Sequence, residues 1–382
     1  MRVRSDPIHA RAVGGAAIVV AVLFAMPPCL AVDYFLATDV PAHLGTADYT
    51  PDQFVLSKSA VYSLAASLPA GLQVGALHRR SNGSWLFSPA HPVMLGGTDY
   101  EPRDVVAYDG ATFSSFFDGS VAGIPAEARI DALWVDSESG AVVFSFDVPV
   151  RLGTTEYAPV DLVGFASGTF SMDWNGAAAG VPPDANVVGY AKDLAGHRVI
   201  TLDVPSLLGG TNYLPGDLVQ WDSGSFSLYF RDASWPREAQ LRDVSFLPPA
   251  GEVPQDADAP GGPLKVDKAT GSDISLSWSR SCRNDDTDYE VYEGSVDAGF
   301  ANHSPKLCST GGALSAIVTP STQSSYYLVA PRNAVSEGSH GHRSDGKERV
   351  GSLLRCLPQA AARCSIGRRK TSATFTRRLL SG

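Results

Sequence analysis

Hydrophobic and polar positions alternate or cluster in short runs along most of this chain, with turn residues between the runs. Ile130–Val135 and Thr169–Trp174 are typical, because they combine β-branched and aromatic residues over the length of one strand. Asp109-Gly110 and Ser167-Gly168 are dipeptides that suit tight hairpins. The pattern therefore predicts an all-β protein built from many short strands.

A longer pattern repeats four times and organises these runs. Its second copy reads LGGTDYEPRDVV, and the four copies begin at Leu44, Leu95, Leu152 and Leu208. Their first residues are 51, 57 and 56 positions apart, which indicates an internal repeat of about 55 residues. Each repeat is predicted to supply four strands. They are Phe54–Leu56, Val61–Leu64, Val74–Leu77 and Trp85–Ser88; Asp104–Tyr108, Thr112–Asp118, Ile130–Val135 and Val142–Asp147; Asp161–Phe165, Thr169–Trp174, Val187–Ala191 and Arg198–Asp203; and, in the fourth copy, Asp217–Trp221, Ser225–Phe230 and Asp243–Leu247.

The fourth repeat is one strand short, and a matching run stands at the other end. Tyr34–Pro41 precedes the first copy of the pattern as Val143–Pro149 and Ile200–Pro205 precede later copies. An N-terminal strand that completes the last unit is typical of β-propellers. We therefore predict a four-bladed β-propeller over residues 32–249, closed by the N-terminal strand. An open β-solenoid or two β-sandwich domains would leave the offset between the two ends unexplained.

Residues 1–31 have the composition of an export signal. Three arginines precede the apolar run Ala16–Met26, and small residues follow near Ala31. A retained membrane anchor is the alternative, although eleven apolar residues are short for a span. No other segment has the length of a membrane span, so the mature chain is expected to be secreted, periplasmic or on the cell surface.

The C-terminal third is predicted to be a separate β domain. Residues 250–262 are rich in proline, glycine and acids, which is typical of a solvated linker. Asp273–Trp278, Asp288–Glu293 and Tyr326–Gly338 then resemble the second, third and sixth strands of a fibronectin type III domain, which implies a β-sandwich over residues 263–364 with Trp278 buried. Residues 365–382 contain five cations and no acid and are predicted to be a disordered basic tail.

The repeats and this module together resemble bacterial exported proteins of unassigned activity, and that resemblance supplies no catalytic residues. The domain departs from intracellular fibronectin type III domains in its cysteines: Cys282, Cys308, Cys356 and Cys364. An even number in an exported chain predicts two disulfides. The pairing Cys282–Cys308 with Cys356–Cys364 is expected, since each closes a short loop. A zinc site is the alternative, but no Cys-x-x-Cys spacing supports it.

The charge distribution bears on the choice of partner. The formal net charge is −10 although both ends of the chain are basic, so the body between them is more acidic than the whole. An acidic body repels nucleic acid and anionic lipid, and neither is an expected partner.

The repeated Tyr-x-Pro-x-Asp is the main candidate for a binding site. Aromatic rings beside carboxylates are typical of sugar-binding or cation-binding surfaces. We expected these loops to connect neighbouring blades on one face. A packing role for the tyrosines and backbone capping by the aspartates is the competing interpretation. The candidate ligand-binding residues are Tyr100, Asp104, Tyr157, Asp161, Tyr213 and Asp217.

Calcium is the one cofactor for which the sequence offers candidates. The recurring Asp-Val-Pro could bring three carboxylates together, and a loop near residue 285 is acidic. Strand-end capping is the competing interpretation for the first group. The candidates are Asp39, Asp147, Asp203, Asp285, Asp286 and Asp288.

Signatures of catalysis are missing from the sequence: it has no Gly-x-Ser-x-Gly, His-Glu-x-x-His or phosphate-binding loop. His78-Arg79-Arg80 and His197-Arg198 are polar groups that only single repeats carry, and both are predicted to be solvated turn residues. The sequence therefore favours an exported, non-enzymatic binding or scaffold protein that presents a loop face to an extracellular glycan or protein. The alternatives are a propeller hydrolase of esters, phosphates or glycosides, and a structural surface-layer component.

Overall fold

The computed structural model describes residues 33–58, 60–254, 262–300, 302–349, 351–352, 354–362 and 364. The predicted export signal and the predicted basic tail lie outside these residues. In the part of the chain that is described, no helix combines the length and the apolarity needed to cross a membrane.

Residues 33–246 form short strands, sixteen of them at the predicted positions and eight in hairpins that were not predicted. The strands are β1 (Asp33–Thr38), β2 (Ala42–Leu44), β3 (Ala47–Tyr49), β4 (Gln53–Lys58), β5 (Val61–Ser67), β6 (Val74–Arg79), β7 (Trp85–Pro89), β8 (Val93–Leu95), β9 (Thr98–Tyr100), β10 (Val105–Tyr108), β11 (Phe113–Phe117), β12 (Ile130–Val135), β13 (Val142–Phe146), β14 (Val150–Leu152), β15 (Thr155–Tyr157), β16 (Leu162–Ala166), β17 (Thr169–Trp174), β18 (Val187–Lys192), β19 (Arg198–Leu202), β20 (Ser206–Leu208), β21 (Thr211–Tyr213), β22 (Leu218–Asp222), β23 (Ser225–Phe230) and β24 (Leu241–Phe246). Two one-turn helices, α1 (Gly119–Ala122) and α2 (Gly176–Ala179), follow β11 and β17.

Sixteen of these strands form four antiparallel sheets that resemble propeller blades. Sheet 1 has the order β24-β1-β4-β5, sheet 2 β6-β7-β10-β11, sheet 3 β12-β13-β16-β17 and sheet 4 β18-β19-β22-β23. The N-terminal strand β1 pairs with β24, with Tyr34 opposite Phe246. Sheet 1 is therefore assembled from both ends of the repeat region, as the offset between the two chain ends predicts.

The first strand of each sheet faces the corresponding strands of its neighbours. β24 packs against β6 and β18, and β12 packs against the same two strands. Aromatic pairs join adjacent sheets, with ring centroids 4.5 to 5.8 Å apart. These pairs are Phe54–Trp85, Phe117–Phe144, Trp174–Trp221 and Tyr34–Phe230. The aromatic residues of the repeats are therefore used to pack one sheet on the next, where such pairs contribute about 0.5–1.5 kcal/mol beyond area burial.

The repeated Leu-Gly pattern forms small hairpins, which differs from the predicted connection between blades. In the second copy, β8 and β9 pair across a turn in which Gly96 and Gly97 have φ of 59° and 84°. This hairpin lies between β7 and β10, which are neighbours in one sheet. The segments that lead from one sheet to the next instead contain α1 and α2. The physical reason is the Gly-Gly pair, because glycine adopts the left-handed φ that a tight hairpin turn requires.

The C-terminal β region consists of two three-stranded antiparallel sheets. One has the order β25-β26-β29 and the other β28-β27-β30. Trp278 is buried at the end of β26 and meets the ring of Tyr289 at 5.7 Å, edge to face. The strands are β25 (Lys265–Lys268), β26 (Ile274–Ser277), β27 (Asp288–Ser295), β28 (Ser304–Leu307), β29 (Ser315–Val318) and β30 (Ser325–Arg332).

Two disulfides link the four cysteines, but the expected pairing was wrong. The bonds are Cys282–Cys364 and Cys308–Cys356, with Cα atoms 5.9 and 5.5 Å apart. The prediction rested on short loops, whereas the fold brings the segment after residue 350 back against both β-sheet ends. Two disulfides favour an extracytoplasmic location for the protein.

The first residues of the predicted linker are not solvated. Ala250 and Val253 are buried, and Ala250 exchanges backbone hydrogen bonds with Ala360 and Ala362 at 2.8 Å. The remainder of that segment, 255–261, lies outside the described residues. Over residues 250–254 the chain is thus held against its own C-terminal segment rather than free in solvent.

Candidate functional site

The tyrosines and aspartates of the repeated motif are engaged in the fold. Tyr100, Tyr157 and Tyr213 are buried. The carboxylate of Asp161 accepts the backbone N–H of Ala158 at 2.9 Å and of Gly176, at the start of α2, at 3.0 Å. Asp104 makes the corresponding contacts with Glu101 and with Gly119, at the start of α1, in sheet 2.

In the fourth copy, Asp217 makes an ion pair in place of the second backbone contact. Asp217 accepts the N–H of Leu214 at 2.7 Å and the Nε–H of Arg231 at 2.6 Å. In each of these copies, the motif fixes the segment that leaves the last strand of its own sheet. A binding role for the six motif residues stays a prediction. Their described contacts are those of the packing and capping interpretation.

The candidate calcium ligands are likewise spread over separate backbone contacts. Asp39, Asp147 and Asp203 accept N–H groups of Gln240, Arg129 and Asn186, respectively, at 2.7 Å. Among the described residues, no group of three or more His, Cys, Asp or Glu side chains lies close enough to hold a metal ion.

The aspartates of the acidic loop near residue 285 also contact separate partners. Asp285 pairs with Arg283 at 3.1 Å, and Asp286 accepts the N–H of Gly251 at 2.8 Å. Asp288 accepts N–H groups from Tyr289, Thr310 and Gly312. These three carboxylates face different partners and do not form a shared site in the described residues.

One aspartate that sequence analysis did not single out lies at the common centre of the four sheets. The carboxylate of Asp243, in β24, is fully buried. It accepts backbone N–H groups from Leu77, Leu133, Tyr190 and Val244 at 2.8, 2.8, 2.9 and 2.8 Å. These donors occupy equivalent positions in β6, β12, β18 and β24. A single side chain therefore bonds to the first strand of every sheet.

Only one of the four equivalent positions carries a side chain of this size. The positions equivalent to Asp243 in the other sheets are Ala76, Ala132 and Gly189. A Cβ on Gly189 would lie 2.9 Å from the Cα of Asp243, which is too close. Asp243 itself has φ of 54°, and burial raises its pKa well above the usual value although the four N–H groups lower it. This backbone strain and desolvation are offset by four buried hydrogen bonds.

At the end of the sheets that carries the repeated hairpins, charged groups beside this centre are paired. Asp131 is fully buried and accepts hydrogen bonds from Arg129 at 2.9 Å and from Asn186 at 2.6 Å. Arg242 lies 3.9 Å from the same carboxylate. The charged groups on this side therefore find partners within the protein, whereas the Oδ1 of Asn186 is buried without one among the described residues.

The opposite end contains a cavity of about 1070 Å³. It lies between the turns that follow β6, β12 and β18 and is also lined by Pro248, Ala361 and Ala362. Trp134, Phe116 and Phe246 contribute aromatic rings to its wall. Asn82, Glu138 and Leu194 line it and are exposed, so these turns form its rim.

Three cations of this cavity lie over aromatic rings, and Lys192 is also near enough to Asp136 for its charge to contribute to the lowered pKa of that carboxyl. The Nζ of Lys192 is 4.1 Å from the ring centroid of Trp134, and the guanidinium of Arg80 is 5.6 Å from Phe116. The guanidinium of Arg79 is 4.2 Å from Trp85, and burial lowers the pKa of Arg79 to about 10. Among the described residues, no ion pair joins these three cations to a carboxylate.

The acids of the cavity are, in contrast, already engaged. Asp136 accepts the N–H groups of Glu138 and Ser139. Asp193 accepts the N–H groups of Ala195 and His197 and pairs with the His197 ring at 2.9 Å. Glu138 pairs with Arg283 at 3.3 Å. These acids therefore have hydrogen-bond partners among the described residues, whereas Arg79, Arg80 and Lys192 form no close ion pair with them.

His78 and Arg79 differ from their predicted role as solvated turn residues. β6 extends to Arg79, and both side chains line the cavity. Within the described part of the chain, the Nδ1 of His78 and the Nε of Arg79 are buried without a hydrogen-bond partner. Burial, with a smaller contribution from Arg80, lowers the pKa of His78 to about 3, so the ring is neutral. Their presence in only one repeat was the available signal, since packing residues recur and ligand contacts need not.

A second polar cluster is buried in the C-terminal β region. The Nε2 of His340 is 3.0 Å from Glu337, and its Nδ1 is 3.1 Å from His303. The hydroxyl of Tyr292 contacts both Glu290, at 2.8 Å, and Glu337. Burial lowers the pKa of His303 and of His340 to about 4, and it raises the pKa of Glu290, with Glu337 adding to the rise.

Comparisons with known proteins give low-scoring structural similarities. No family model matches the chain. No curated protein matches it either. The β architecture is similar to a protein of unknown function from Bacteroides caccae (8% identity, 66% of this chain and 85% of the other, TM-score 0.26). It is also similar to a virginiamycin B lyase from Staphylococcus aureus bound to quinupristin (8% identity, 66% and 94%, TM-score 0.25). A third similarity is to the extracellular domain of BT4673 from B. thetaiotaomicron (8% identity, TM-score 0.24), where the match covers 63% of this chain but spans only 32% of that one.

Proposed function

We propose that this protein is an extracytoplasmic binding protein that holds a small ligand in the cavity beside Asp243. The four sheets are the blades of a closed β-propeller, followed by a fibronectin type III-like module. Closure is supported by the pairing of β1 with β24 and by the position of Asp243 among the four first strands. The repeated hairpins then belong to the scaffold, and binding belongs to the opposite end.

The observation that carries this proposal is the cavity itself. A volume of about 1070 Å³ is at the upper end of the range typical of small-molecule sites. Its wall combines aromatic rings with a few polar groups, and two of its buried nitrogen atoms have no partner among the described residues.

The experiment is a binding screen of the full chain against a library of extracellular metabolites and short glycans, followed by calorimetry on each hit. Trp134→Ala should weaken binding of a true cavity ligand about tenfold or more, because an aromatic wall is lost. Met94→Ala is the matched control, since Met94 is 66% exposed on β8 at the other end of the sheets.

Two outcomes would contradict the proposal. One is a library without a saturable hit on folded, monodisperse protein. The other is a hit that depends on residues of the repeated hairpins and is insensitive to Trp134→Ala. The second result would instead support the prediction that the repeated Tyr-x-Pro-x-Asp loops bind the ligand.

A further inference from the structure

We propose that the ligand of this cavity is an acidic saccharide, a sugar ring that carries a carboxylate or sulfate group. This inference rests on the proposed function and adds the chemical class of the ligand. Its basis is that Arg79, Arg80 and Lys192 form no close ion pair among the described residues, whereas the acids of the same cavity accept backbone N–H groups.

The positions of the cations favour an anion held between them. Arg79 and Lys192 are equivalent residues of β6 and β18, two strands that both flank β12 and β24. Cations contributed from two such strands approach the same space from different sides. Arginine binds a planar oxyanion through paired N–H groups, and lysine supplies a point charge.

The remaining lining suits a sugar ring. Phe116 and Trp134 contribute aromatic surface, with Lys192 over one face of Trp134, and the turn residues Ser81, Asn82 and Ser137 offer hydrogen-bonding groups for hydroxyls. A large polyanion is disfavoured, because the chain has a formal net charge of −10 and repels negative charge at long range. A small ligand with one or two charges meets the cations only at short range.

The deciding experiment is calorimetry of the full chain with digalacturonate, with its dimethyl ester, and with galactose 6-sulfate. The ester removes the charge of the disaccharide and keeps its rings. We expect the acid to bind about tenfold tighter than the ester, and this preference to shrink as salt is added. Comparison of the uronate with the sulfate identifies which oxyanion the cavity prefers.

Variants connect the preference to the cavity. Lys192→Met should remove most of the preference for the acid, and Lys192→Arg should retain it. The matched control is Arg151→Gln, because Arg151 is a 71% exposed cation on β14, at the hairpin end. Melting curves verify that each variant is folded before binding is measured.

The outcomes separate this inference from the proposed function. Equal binding of acid and ester, or an acid preference unchanged by Lys192→Met, would overturn the acidic-saccharide assignment. If only uncharged members of the library bind, and binding needs Trp134, the assignment also falls while the proposed function stands. A library without any hit would overturn both.

Discussion

The two ends of the four sheets use polar residues in opposite ways. At the hairpin end, Asp104, Asp161 and Asp217 accept backbone or arginine donors, and Asp131 is held by Arg129 and Asn186. At the cavity end, buried nitrogen atoms of His78 and Arg79 have no partner among the described residues. The recurring aspartates therefore have partners within the protein, as do Asp131 and Asp243, which occur in one repeat only.

The largest effect should come from the residue between the two ends. Asp243→Ala leaves three cross-strand N–H groups without their acceptor, at about 1–3 kcal/mol each, so the free energy of unfolding should fall by roughly 4 kcal/mol or more. Urea denaturation measures this loss. Asp48→Ala, at an exposed carboxylate, is the control and should have little effect. A variant of Asp243 as stable as the parent would show that the four first strands do not depend on this carboxylate.

A smaller loss is expected at the hairpin end. Asp161→Ala removes the acceptor of Ala158 N–H and Gly176 N–H and should reduce the free energy of unfolding by about 2 kcal/mol. Ligand affinity in the cavity should not change. Lower affinity at unchanged stability would contradict the scaffold role of the repeated motif.

Acidification should loosen the cavity end before the hairpin end. The folded-state pKa of His303 and of His340 lies near 4, below the ordinary value of 6.5, so the contribution of these two rings to stability falls as pH drops from 6.5 toward 4. Glu290 in the same cluster has a raised pKa and acts in the opposite direction, and we expect the two rings to outweigh the one carboxyl. Ala360 donates its N–H to Glu337, beside this cluster, and the following residues line the cavity. Hydrogen exchange at pH 7 and pH 5 should show protection lost at Ala360 and Ala362 and retained at Gly119 and Gly176.

The smallest effect has the opposite sign. Arg79→Met removes a partly buried cation without an acidic partner and keeps its apolar stem over Trp85, so the free energy of unfolding should rise by about 1 kcal/mol, after allowance for solvent exposure and the lost cation–ring contact. Ligand binding should weaken. A destabilised Arg79→Met would show that the cation serves the fold instead of a ligand.

The sequence predicted the sheets well because their strands repeat. Ile130–Val135, Thr169–Trp174 and Ser225–Phe230 were predicted with the bounds that the structure gives. The partnership of β1 with β24 followed from the offset between the two chain ends. These features depend on local periodicity and on counting, both of which are visible in one sequence.

The candidate site was harder to predict, since it depends on differences between repeats. Asp243 resembles any other acid at a strand, and its role appears only when Ala76, Ala132 and Gly189 are placed around it. His78 and Arg79 looked like turn residues because β6 was predicted to end at Leu77, two residues too early. The disulfide pairing failed for a related reason: loop length is local, and the return of the C-terminal segment is not.

The pairing of β1 with β24 also sets an order for events during synthesis. β1 leaves the ribosome first, but its partner strand follows only after the three other sheets have been made. Until then one edge of β1 has open backbone N–H and C=O groups, which are available to other chains. β24 also carries Asp243. This last strand therefore supplies both the pairing partner of β1 and the carboxylate that accepts N–H groups from the other sheets. A released chain that ends at residue 240 should therefore keep this edge open and aggregate, and a chain that ends at Phe246 should aggregate less.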